Sequence, residues 1–178
     1  MTSRITSKTL KNLYNYAERV NVLKLAAVVN DLGPSQRNFY MIKEFNRTAT
    51  SKDASISTFY SRPIAPITKP HFSCRSVAFL SGYNGIAIAD SLTCAETLLK
   101  SHNRSDKYLY LWDIDWLITP VNFSVACDIL RDDRLKLIAR SESHAKVISN
   151  FCNKDVSGIV DNWNIDELQK ITNSNHTP

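Results

Sequence analysis

The side chains in this sequence that could do chemistry are scattered, and their spacing excludes several reactions at once. The four histidines, His71, His102, His144 and His176, show no i, i+4 pair and no Glu-x-x-His, so no helix-borne metal site is encoded. Cys74, Cys94, Cys127 and Cys152 include no Cys-x-x-Cys pair. That argues against zinc and for reduced, mostly buried thiols. A Cys–His nucleophilic pair could arise only through the fold. Asp113-x-Asp115 has the spacing that, on a strand, points two carboxylates to one face, as a divalent cation would need. No further strong ligand accompanies the pair. A solvent-facing acidic edge is the simpler account, and no metal is assigned. Neither a Walker A motif nor Gly-x-Gly-x-x-Gly is present, which weighs against a P-loop or a fingerprint dinucleotide site.

What remains is a set of residues suited to a dinucleotide and an oxocarbenium-like transition state. Such a site needs an arginine for phosphates, an aromatic ring to hold nicotinamide, and a carboxylate near the ribose. Arg62 follows the aromatic run Thr58-Phe59-Tyr60. Arg75 precedes the next apolar run, Tyr83 is the aromatic candidate, and Ser91 heads a helix where it could orient the site. Glu142 is the first-choice carboxylate and Glu96 the second. Each of these residues would serve equally well as an ordinary surface group.

The elements that must position them follow from apolar spacing. Thr9 to Asn30 reads as a helix with a stripe of Leu10, Leu13, Tyr14, Ala17 and Val20, continued by Leu23, Ala26 and Ala27. Asp31-Leu32-Gly33-Pro34 reads as its stop, and Ser35 caps a second helix to about Phe45. Residues 46–55 form a polar linker, and Ile56 to Tyr60 a strand. Pro63, Pro66 and Pro70 impose an extended connection. Ser76 to Leu80 and Ile86 to Ala89 read as a hairpin around Ser81-Gly82-Tyr83-Asn84-Gly85. Asp90 or Ser91 then caps a helix bearing Leu92, Ala95, Leu98 and Leu99, followed by a strand from Tyr108 to Trp116. Phe123 to Leu130 fits helix or strand. Leu135 to Ala139 and Val156 to Val160 read as strands, and Ser141 to Phe151 as a helix. Ile165 to Ile171 reads as a helix capped by Asn164 with Glu167. The expected fold class is α+β: an N-terminal helical hairpin, then a mixed, short-stranded sheet with helices. The expected division is 1–55 helical segment, 56–171 α+β domain and 172–178 disordered tail.

With 178 residues, 43% hydrophobic and 22% charged, the chain is long enough for one ordinary core. No apolar run is long enough to span a membrane and the first residues lack a signal core, so a cytoplasmic protein without a membrane partner is expected. Charge is uneven: residues 1–75 carry 12 Lys/Arg and 4 Asp/Glu, residues 76–178 carry 10 and 13, for a net +5. The basic first part could meet nucleic acid, an anionic cofactor or an acidic partner. A helix-turn-helix reader is not favoured, because the second helix is short and carries only Arg37, Lys43 and Arg47.

The order of these features resembles the ADP-ribosyltransferase fold. There an arginine lies on an early strand, a later strand ends in a Ser-Thr-Ser-like triplet at a helix start, a Tyr-rich strand follows, and a glutamate lies near the end. Phe59 to Arg62 is similar to the arginine strand, Gly85 to Ser91 to the triplet strand, and Tyr108-Leu109-Tyr110 to the strand after the helix. Arg140-Ser141-Glu142-Ser143 would hold the glutamate. Within the triplet Ala89-Asp90-Ser91 only Ser91 matches, and no Glu-x-Glu is present. Ile88 to Ala95 and Ser157-Gly158-Ile159-Val160 also resemble parts of the RES-domain toxins, which share that fold and degrade NAD. The resemblance implies an NAD-consuming transferase or glycohydrolase, a toxin or effector that could be delivered into a target cell. It makes NAD the substrate, with a macromolecular acceptor or an antidote protein as partner. Arg62 would hold phosphate, Ser91 would orient the site and Glu142 would stabilise the ribosyl cation. The alternatives are a non-catalytic interaction module of the same fold and a nucleic-acid binder using the basic N-terminal part.

Overall fold

Leu23–Val29, Leu-Lys-Leu-Ala-Ala-Val-Val, is the strand on which the sheet is built (β1). Leu25, Ala27 and Val29 enter one core cluster, Ala26 and Val28 the other, and all five are at most 1% exposed. A strand covered on both faces reads as an unbroken apolar run without polar alternation. That is why its residues also fit a helical stripe, and the expected helix through Asn30 is corrected here. The computed structural model describes residues 23–51, 54–114 and 123–174. The rest of the expected first helix (9–22), Asp115, and residues 175–178 of the expected tail lie outside the described residues.

Asn30–Ser35 leads into α1 (Gln36–Ala49), capped by Ser35, whose side chain accepts from the Asn38 amide. Met41, Ile42 and Phe45 of α1 are fully buried, each stabilising by about 1.5–3 kcal/mol. β2 (Ala54–Tyr60) pairs with β1 in parallel, Leu25 opposite Ile56 and Val29 opposite Tyr60. The proline-rich segment 61–72 contains no helix and leads to the edge strand β3 (Ser73–Ser76). A 3-10 turn (Val77–Gly82) precedes β4 (Ile86–Ala89), which returns to the other side of β1. There follow α2 (Leu92–Lys100), β5 (Asp106–Leu111), α3 (Phe123–Arg131), β6 (Leu135–Ala139), α4 (Glu142–Cys152), β7 (Val156–Ile159) and α5 (Ile165–Ser174).

The sheet has seven strands in the order β3-β2-β1-β4-β5-β6-β7, every pair parallel. Helices and strands therefore form one sheet-centred α+β structure, but the sheet is not mixed, and residues 77–89 do not make a hairpin. Parallel neighbours need crossovers, which here are α1, the proline segment 61–72, α2, α3 and α4, while the 3-10 turn lies on the connection from the edge strand β3 back to β4. The expected boundary at residue 55 falls inside β2, and β1, expected in a separate segment, is the central strand. Residues of α2, α3 and α4 share one core cluster with Ala26, Val28, Ala87 and Ala89. α1 and α5 cover the opposite face, an aromatic cluster of Phe45, Tyr108, Tyr110, Trp112 and Trp163. Sheet order runs leftward from β1 to β3 and rightward from β4 to β7, so the chain reverses between β1 and β4.

Candidate functional site

That reversal puts the topological switch point at the carboxyl ends of β1 and β4, the position of the ligand crevice in open parallel sheets. Three loops meet there: Asn30–Ser35 after β1, Ser61–Arg62 after β2, and Asp90–Ser91 after β4. Backbone bonds stitch the first two. The Arg62 amide donates to Asn30 O (2.8 Å) and, farther along the segment after β2, Ile67 N donates to Leu32 O (3.0 Å). The β1 loop is braced from within. Gly33 N donates to Asp31 Oδ1 (3.0 Å), and Asn38 Nδ2 donates to Asp31 O (3.1 Å) and Gly33 O (2.9 Å). A Cβ on Gly33 would lie 2.8 Å from Ile64 Cγ2, so any larger residue would push Ile64 away from the β1 loop.

Two ion pairs line the crevice. Arg62 Nη2 donates to Asp31 Oδ2 at 2.6 Å, with the Arg62 side chain 65% exposed. Arg37, in the first turn of α1, reaches across to β4: Nη1 donates to Asp90 O (2.7 Å) and Nε lies 3.1 Å from Asp90 Oδ2. The Asp90 side chain is only 2% exposed, and its Oδ1 has no hydrogen-bond partner among the described residues. Burial raises the Asp90 carboxyl above its ordinary value. Arg37 opposes that shift, helped by the Cys94 thiol and the Ser91 hydroxyl. Burial also raises the Cys94 thiol, with Asp90 adding to the effect, so Cys94 is an inert core cysteine rather than a nucleophile. All four cysteines are free.

The crevice contains two of the residues singled out from sequence. Ser91 caps α2, its Oγ accepting from Cys94 N (3.4 Å) and from Asn30 Nδ2 (3.3 Å). Arg62 stands at the end of β2. The others lie elsewhere. Tyr83 packs on Phe59 (ring centroids 5.5 Å apart), and its Oη lies 3.4 Å from Ile86 O at the start of β4. That is the opposite edge of the sheet, about 13 Å from Asp90 along a four-residue strand. Arg75 is exposed on β3, its Nε donating to Ser73 Oγ (3.1 Å). Glu96 is ion-paired to Lys100 (2.6 Å) on the outer surface of α2. Glu142 is exposed in the first turn of α4, after β6. β2 and β6 are four strand spacings apart, which separates the backbones of Arg62 and Glu142 by about 19 Å. They flank the edge rather than meet on one bond. Asp113 is exposed after β5. Among the described residues, no group of three His, Cys, Asp or Glu is placed to hold a metal, and no helix is long and apolar enough to cross a membrane.

Asn30, Asp31, Arg37 and Asp90 were missed in the sequence. Only part of their signal was present: Asn-Asp-x-Gly-Pro-Ser marks a loop feeding a capped helix, while the apolar run before it fits strand and helix alike.

Beside the crevice, under the proline segment, lies an apolar cavity of about 540 Å³. Leu32, Tyr60, Pro63, Ile64, Pro66 and Phe72 are among its walls. Further along the same edge, Arg140 stacks on Trp112, its guanidinium carbon 4.1 Å from the ring centroid, and donates to Asn162 Oδ1 (3.3 Å). Tyr40 stacks on Trp112 from α1, ring centroids 6.0 Å apart. No family model matches the sequence, and no curated protein or solved structure is significantly similar to it.

Proposed function

We propose that the protein binds a nucleotide, with NAD the first candidate, across the carboxyl edge of its sheet at the β1–β4 crevice. The observation that carries this reading is the convergence of the β1, β2 and β4 loops at the chain reversal of an all-parallel sheet. Such a crevice is where open parallel sheets take dinucleotides. Two further features support it. Arg62 offers an exposed guanidinium whose partner, Asp31, is a single carboxylate, so a phosphate could share or replace that contact. α1 and α2 both begin at the crevice and turn their positive ends toward it. The β1 loop has one glycine and is braced by Asp31 and Asn38, so anion contacts come from side chains and helix ends rather than from a wrapped glycine loop.

NAD as a ligand is the part of the ADP-ribosyltransferase resemblance that this geometry supports. NAD consumption, breaking the glycosidic bond to nicotinamide, is the activity to assay. A second reading, a non-catalytic nucleotide-binding module, is favoured by one observation. Both carboxylates at the crevice are ion-paired, Asp90 buried against Arg37 and Asp31 against Arg62, while Glu142 and Glu96 lie away from it. Incubation with NAD, with and without cell lysate, separates the two. Nicotinamide release supports the enzyme, and dependence on lysate marks transfer to an acceptor. NAD binding without release supports the module. Absence of calorimetric binding to NAD overturns both.

A further inference from the structure

The cavity under the proline segment has the shape and position of a subsite. Its volume, about 540 Å³, lies within the range of small-molecule sites. Tyr60 and Phe72 supply aromatic surface, and Pro63, Pro66 and Pro70 supply stiff, flat walls with few conformations to lose on binding. The walls are preformed. Backbone bonds fix the segment to the β1 loop at Asn30 and Leu32. α1 fixes its far end, Asn46 Nδ2 donating to Lys69 O (2.9 Å) and the His71 amide donating to Asn46 Oδ1 (2.6 Å). Phe72 is held edge-on to Phe45, centroids 5.4 Å apart. Ile64 nonetheless stays 44% exposed, apolar surface that an occupant would cover.

The cavity is also directional. Leu32 and Pro63, on its wall, are the chain neighbours of Asp31 and Arg62, so the loops that carry this ion pair also wall the cavity. An apolar, flat-walled slot with a guanidinium beside it matches a planar ring joined to an anionic chain. Resting on the nucleotide reading above, we infer that this cavity takes the base of the bound nucleotide. The sugar-phosphate then passes Arg62 into the crevice. For NAD this seats the adenine half between the proline segment, the end of β2 and the beginning of β3, and sends the nicotinamide half toward β4.

The test titrates AMP and ribose 5-phosphate into the full chain by calorimetry, with Ile64→Trp to fill the slot and Arg62→Ala to remove the adjacent cation. If the base occupies the cavity, ribose 5-phosphate binds at least about 10-fold more weakly than AMP, since stacking of one base is worth roughly that factor. Ile64→Trp then weakens AMP by a similar factor and leaves ribose 5-phosphate unchanged. AMP that binds no better than ribose 5-phosphate, or is indifferent to Ile64→Trp, overturns the base assignment. The crevice reading survives that result if Arg62→Ala still weakens AMP. No binding of AMP to the wild-type chain overturns both. Should Ile64→Trp fail to fold, nuclear Overhauser contacts between H2 or H8 of AMP and the Ile64 methyl groups decide the matter. Their presence is expected, and their absence with bound AMP rejects the assignment.

Discussion

Both halves of the carboxyl edge carry an arginine beside polar and aromatic groups, yet the two arginines are held in opposite ways. On the β2–β1–β4 side, Arg62 is exposed and touches one carboxylate, next to an apolar cavity. On the β5–β6–β7 side, Arg140 lies flat on Trp112, which is itself wedged against Tyr40 and Tyr110, and is tied to Asn162. The turn that supplies Asn162 places both Asn162 and Trp163 in the left-handed region (φ 46° and 63°), and Trp163 is fully buried against Tyr110 and Phe45. A bulky residue rarely adopts that backbone, so packing there outweighs local strain. The contrast teaches that an arginine at a strand end is not itself a ligand contact. One end of the edge is built as core, the other is left open.

That contrast predicts where substitutions act. Trp112→Ala removes the ring that Tyr40, Tyr110 and Arg140 share and should cost about 3–5 kcal/mol of stability, read as a lowered denaturant midpoint. Nucleotide affinity of the folded fraction should be unchanged, and a comparable loss of affinity would break the distinction. Arg62→Ala should do the reverse. Stability should stay within about 0.5 kcal/mol, while affinity for NAD falls roughly 10- to 100-fold, the worth of a charged hydrogen bond.

Asp90 sharpens the comparison through pH. Burial raises its carboxyl in the folded chain above the ordinary 3.8, so the folded state holds that proton more tightly than the unfolded state. Its contribution to stability is therefore greatest below 3.8 and falls as pH rises through the folded-state value. Asp90→Asn should flatten that part of the melting-temperature profile, and an unchanged profile would show that Arg37 already cancels the burial. The smallest effect is expected from Glu142→Gln, which should leave both stability and NAD affinity unchanged. A large loss of affinity would move the site toward β6.

Much of the element order was legible in the sequence. Ser35 and Asn164 cap the helices they were expected to cap, and Ser91 is the cap of the two candidates Asp90 and Ser91, because side-chain caps are local chemistry. The central strand was not legible as a strand. Leu-Lys-Leu-Ala-Ala-Val-Val is buried on both faces, and periodicity alone cannot separate such a run from a helix. Losing β1 hid the switch point, and with it Asp31, Arg37 and Asp90, which had looked like a helix stop, a surface base and a cap. Tyr83 shows the same limit in reverse. Its aromatic character was visible, but whether it stood at the amino or carboxyl edge depended on β4 being parallel rather than half of a hairpin. The position of Arg62 at a strand end was legible because an exposed arginine after an aromatic strand marks that end whatever the sheet order.

The most direct test of a nucleotide site at the β1–β4 crevice is a titration of isotope-labelled protein with NAD, followed through its backbone amide resonances. Shifts should be concentrated in residues 30–37, 61–66 and 90–91, with those of 112–113 and 140–144 unmoved. Shifts centred on the Trp112–Arg140 end, or none at saturating NAD, would contradict that site.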